Sequence, residues 1–107
     1  MKRVAITSPK SGLWFDADKA EKFEEKSFWN GSNHVSKATG SQWEHECLFV
    51  TKSGKFILNH WSQYQGIPEK YEIISKERAA RWFAKQEFED DEIPDVFKEE
   101  VASLEID

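Results

Sequence analysis

The chain has a single cysteine, and with no second one Cys47 closes no internal disulfide. That usage fits a reducing compartment, so a cytoplasmic location is expected. No apolar run approaches the length of a membrane span, and residues 1–12 hold no apolar segment of the kind a secretory signal uses. No membrane association is expected. Metal-binding spacings of the C-x-x-C or H-x-x-x-H type are absent. So are internal repeats and low-complexity linkers. Positive charge is also in deficit: the net charge of −5 argues against a general nucleic-acid or anionic-membrane binder. Proline and glycine are scarce enough that Pro9, Gly12, Gly31, Gly54, Pro68 and Pro94 read as individual turn or helix-start marks.

Aromatic residues are the main presence: five Trp, eight Phe and two Tyr in 107 residues. Each fills a large, defined pocket, so the chain folds although 33% of it is charged. The length sets one domain, 1–107, with a core at about 13–88 and a terminal helix at about 94–104.

The organising stretch is Cys47–Trp61, CLFVTKSGKFILNHW. Phe49, Val50, Thr51, Phe56 and Ile57 favour a pleated surface, and Ser53-Gly54 supplies a turn. Two registers are open. A two-residue loop sets Lys52 against Lys55, Phe49 against Leu58 and Cys47 against His60. A turn with a glycine bulge sets Phe49 against Ile57 and Cys47 against Asn59. The bulged form is preferred, since two opposed lysines repel. Leu48 and Val50 point one way, Cys47 and Phe49 the other, so both faces of the hairpin must be covered. A helix is expected on one. The N-terminal half, a second copy of the chain or a partner is expected on the other.

Outside the hairpin, Arg3–Thr7 reads as a short edge strand and Leu13–Phe15 as extended. Asp16 is expected to cap a short helix over 16–23, followed by a strand over Phe23–Trp29 with Phe23 and Trp29 on one face. Residues 30–42 read as a solvated connector. Tyr71–Ile74 is a further strand. Ser75 caps a helix over 76–87 whose stripe is Ala79, Trp82 and Phe83, with Ala80 and Ala84 beside it. Trp82 and Phe83 should contribute about 2–3 kcal/mol each by burial. Glu87–Glu92 is an acidic break, and Pro94 opens a second helix whose seam is Phe97, Val101 and Leu104. The architecture is α+β: an antiparallel meander of about four strands packed by a C-terminal helix, with a second short helix after it.

Chemistry is sparse. His45 and Cys47 share a strand face, and His60 joins them only in the two-residue-loop register, where the three would form a zinc site with one open position. Without a supporting motif, the expectation is a buried cysteine, two hydrogen-bonded histidines, no metal, no cofactor and no reaction centre. Glu44 and Glu46 read as a solvated strand edge with no raised pKa. Trp14, Trp29, Trp43, Trp61 and Tyr64 should mostly be core. Trp43, Trp61 and Tyr64, at strand ends beside polar turns, are also a candidate interaction surface for a protein partner or a second copy. A second use of the same rings is stacking on single-stranded nucleic acid, with Lys37, Lys52 and Lys55 for charge. The acidic run Glu87–Glu92 and the acidic last helix admit a third reading, as a mimic of a phosphate track.

Asp16–Glu21, Trp29-Asn30-Gly31, Leu48–Leu58, Ile73-Ile74-Ser75 and Ala79–Trp82 together resemble a group of small bacterial proteins from mobile or variable gene neighbourhoods. The resemblance covers about residues 13–85 and implies a β-meander closed by one helix. Its motifs are turns, a strand pair and a helix cap, so it carries a fold and no activity. The combined expectation is a non-enzymatic interaction or regulatory module.

Overall fold

The computed structural model describes residues 1–106. In chain order these form β1 (Arg3–Ala5), β2 (Trp14–Asp16), β3 (Glu21–Glu24), β4 (Ser27–Trp29), β5 (His34–Ser36), β6 (Glu44–Val50), β7 (Phe56–Ser62), β8 (Lys70–Ile74), α1 (Lys76–Lys85) and α2 (Asp95–Ala102). A four-stranded antiparallel sheet in the order β3-β6-β7-β8 forms the centre, and β1-β2 and β4-β5 are separate two-stranded ribbons. The architecture is thus α+β, with both helices following the strands.

The β6–β7 turn takes the bulged form. Phe49 opposes Ile57, Cys47 opposes Asn59 and Val50 opposes Phe56. Thr51 N–H donates to Lys55 O at 3.0 Å and Gly54 N–H to Thr51 O at 3.0 Å. Gly54 sits at φ +85°, where a Cβ would be strained. Lys52 and Lys55 therefore do not oppose each other.

Both sheet faces are covered, by different parts of the chain. On one side Leu48, Phe56 and Ile74 meet Ala79, Ala80, Trp82 and Phe83 of α1, and Phe97 of α2. The Phe97 ring packs tilted against Phe56 and Phe83, with centroids 5.0 Å and 5.2 Å away. Ser75 Oγ caps α1 by accepting from Arg78 N–H at 3.2 Å. On the other side Cys47, Phe49 and Ile57 meet Ile6 and Phe15 of the N-terminal segment. Thr7 and Ser8 N–H both donate to Tyr71 O, and Ile73 N–H donates to Ser8 O, which covers the outer edge of β8. The N-terminal half is thus the second cover. Ile6, Ile93 and Phe97, all from outside 13–88, are buried with the core.

Three local expectations fail. The helix expected over 16–23 is a single turn: Asp16 Oδ1 accepts from Asp18 N–H and Lys2 N–H, and Ala20 N–H reaches Asp16 O, after which Glu21–Glu24 joins β6. Strand pairing and the contact of Phe23 with Phe83, 5.2 Å between rings, override the helical spacing. The strand expected over 23–29 is cut at Glu25-Lys26, where Lys26 N–H donates to Gln86 Oε1 at 2.9 Å, so Phe23 and Trp29 belong to different sheets. Residues 30–42 are more than a connector. They include β5, and Val35, Ser36 and Ala38 are buried.

Candidate interaction surface

Side chains alternate along β6, so Trp43 and His45 point to the same side as Cys47 and Phe49. His45 opposes Trp61, and Gln63 N–H donates to Trp43 O at 2.8 Å, which places Trp43 and Trp61 diagonally on one face. The N-terminal ribbon covers this face over Phe49 and Ile57 and ends before its other half. There Trp43, Trp61 and Tyr64 remain 43%, 38% and 52% exposed. The Trp43 and Tyr64 rings lie 5.6 Å apart, and Trp61 stacks on His45 at 4.4 Å. The three aromatics therefore form one end of the sheet. Trp14 and Trp29 are exposed as well, and of the five tryptophans Trp82 alone is buried. The expectation that most of this set is core is overturned: short strands leave their terminal rings beyond the reach of α1 and the ribbon.

His45 is held from beneath by a residue that nothing in the sequence singles out. Glu25 Oε2 lies 2.7 Å from His45 Nδ1. Its Oε1 accepts from Ser36 Oγ at 2.9 Å and Glu46 N–H at 2.6 Å. One carboxylate thereby joins the β3–β4 break, β5 and β6, and fixes the ring on which Trp61 lies.

The structure separates His60 from His45 and Cys47. Register decides this: His60 opposes Glu46, so it sits on the helix side of the sheet, opposite to Cys47. Its Nε2 is 3.7 Å from Glu44 Oε2. Cys47 Sγ donates to Asn59 Oδ1 at 3.2 Å, and burial pushes the thiol up to about 12. It is therefore neither a thiolate nor accessible.

Glu44 and Glu46 are not a solvated edge: both are half-buried, and beyond the end of the β3 pairing the Glu25 side chain takes Glu46 N–H. Glu46 reaches the helix side and accepts from Trp82 Nε1–H at 3.2 Å. It lines a cleft of about 330 Å³ with Arg78, Arg81, Trp82 and Lys85. Burial raises its carboxyl above the ordinary value, and Lys85 and the Trp82 hydrogen bond pull it partly back. Two Glu residues at i, i+2 in a strand give no hint of this, since the cations come from a helix more than thirty residues on.

Of the positive groups weighed for nucleic acid, two lie away from the aromatic end and the third is ion-paired. Lys52 and Lys55 occupy the opposite tip of the β6–β7 pair, roughly 20 Å off for a seven-residue strand. Lys37 pairs with Glu87 at 3.3 Å. The acidic run is similarly engaged: Glu92 pairs with Lys26 at 2.8 Å and accepts from Glu89 N–H at 2.8 Å. Among the described residues no helix is long and apolar enough to cross a membrane. No protein-family model, curated protein or solved structure matches the chain.

Proposed function

We propose that the chain is a non-catalytic module that binds protein through Trp43, Trp61 and Tyr64. The supporting observation is their grouping at the uncovered end of a sheet face whose other half is core. Large rings held rigid from behind, as Glu25 and His45 hold Trp61, lose little freedom on binding and are the side chains over-represented as interface anchors. A second copy of the chain is the first partner to test. The nucleic-acid reading has less support, because the free lysines and the rings occupy opposite ends of the hairpin. Phosphate mimicry has less as well, since Glu87 and Glu92 are tied into ion pairs.

Sedimentation velocity over a wide concentration range tests the reading. The expected result is association that the combined Trp43→Ser, Trp61→Ser and Tyr64→Ser variant abolishes while keeping its fold. A strict monomer overturns self-association. Association that the triple variant retains overturns the assignment of the surface.

A further inference from the structure

At the other end of the same sheet face lies a cavity of about 500 Å³ between the N-terminal ribbon and the β6–β7 turn. Its floor is apolar and rigid: Ile6, Phe15 and Ile57 are each buried core residues. Leu13 and Trp14 are half-exposed walls. Lys19, Lys52 and Lys55 also line it. None of the three makes an ion pair among the described residues, whereas Lys22, Lys26, Lys37, Lys76, Arg78 and Lys98 each do. Asp16 is the single acidic group in the lining; its Oδ1 accepts from Lys2 N–H and Asp18 N–H, and its Oδ2 is buried without a partner among the described residues.

Three cations without an ion pair thus surround one apolar opening in a chain of net charge −5. Like charges around one opening repel, and an anion placed among them relieves that repulsion. An apolar floor of this size offers burial to a body of ligand dimensions, which a lone phosphate or chloride would leave unused. We infer that this cavity binds a small amphipathic anion: a medium-length acyl chain seated over Phe15 and Ile57, with its carboxylate or phosphate head among Lys19, Lys52 and Lys55. The apolar part supplies the affinity and the lysines select the charged head. The site lies away from Trp43, Trp61 and Tyr64 and does not depend on their role.

The test is an amide NMR titration of the full chain with dodecanoate, dodecyl phosphate and dodecanol, each below its aggregation threshold, and separately with vesicles of phosphatidylglycerol. Both anions are expected to give saturable shifts confined to residues 6, 13–20, 51–57 and 73. Dodecanol, with the same tail and no charge, should bind at least about tenfold more weakly. The combined Lys19→Gln, Lys52→Gln and Lys55→Gln variant, altered only at exposed positions, should lower the affinity for the anions to that for dodecanol. Equal affinity for anion and alcohol overturns the inference. So do shifts centred elsewhere, an unaffected lysine variant, or binding to vesicles without saturable binding of the free amphiphiles.

Discussion

Cys47 Sγ and Asn59 Oδ1 face each other across the central strand pair at 3.2 Å, and that contact exists only in the bulged register. Asn59 is itself fixed, because its Nδ2–H donates to Glu69 Oε1 and Lys70 O. The thiol is 2% exposed. In the native protein iodoacetamide should therefore leave Cys47 unmodified at mildly alkaline pH, over a time in which the urea-unfolded chain reacts fully. Mass spectrometry reads the result, and rapid labelling of the folded protein would contradict the register.

The same thiol has a signed effect on alkaline stability. Its folded value is raised from 9.0 to about 12, so the folded state holds the proton more firmly than the unfolded one. The associated stability is complete below pH 9 and is lost as pH rises from about 9 to about 12. Tyr71, raised from 10.0 to about 12 chiefly by burial, acts in the same direction. Urea midpoints should fall across this window, and the Cys47→Ala variant should fall less steeply than the wild type.

Glu46 gives an acid-side counterpart. Its folded pKa lies above 4.5, so its contribution is present at low pH and is lost as pH rises through the raised value. Glu46→Gln keeps an oxygen to accept from Trp82 Nε1–H and removes the buried charge. Relative to wild type, the variant should gain stability on going from pH 4 to neutrality. Asp16, Glu92 and Glu100 have lowered values and the opposite slope, but they are common to both proteins and cancel in the difference. Urea denaturation followed by circular dichroism at the two pH values measures it.

Removing the Glu25 carboxylate should be among the most damaging single changes. Glu25→Ala strands Ser36 Oγ, Glu46 N–H and His45 Nδ1 at once. A loss of about 2–4 kcal/mol is expected, with Glu25→Gln retaining part of it. Because His45 underlies Trp61, the Trp61 indole signal should also shift in proton NMR, which a mere loss of surface charge would not produce.

How far the sequence reached depends on whether a signal was local. The turn chemistry of Lys52-Ser53-Gly54, the Ser75 cap and the stripe Ala79, Trp82, Phe83 are short-range patterns, and the structure has them where they were expected. Glu25, Gln86 and the cleft around Glu46 are long-range. Gln86, fully buried, donates to Trp82 O and accepts from Lys26 N–H, and no spacing connects residues 26 and 86. The grouping of Trp43, Trp61 and Tyr64 was legible because they flank one hairpin. Their exposure was not fully so, since how far the N-terminal ribbon extends over the sheet is a tertiary fact.

The end of α1 carries the last prediction. Glu87 sits at φ +61°, a conformation that glycine usually supplies after a helix. Around it Phe88 N–H donates to Phe83 O and Glu87 N–H to Ala84 O, and the Phe83 and Phe88 rings meet at 5.1 Å. That is a full Schellman stop with its apolar contact, built on a residue that resists it, which is why composition gave no stop signal here. Glu87→Gly should relieve the strain and stabilise the protein by about 0.5–1 kcal/mol, despite losing an exposed ion pair with Lys37. Glu87→Ala loses the same ion pair and keeps the strain, so it should give no gain. If urea denaturation shows the glycine variant no more stable than the alanine one, the left-handed stop at this position is wrong.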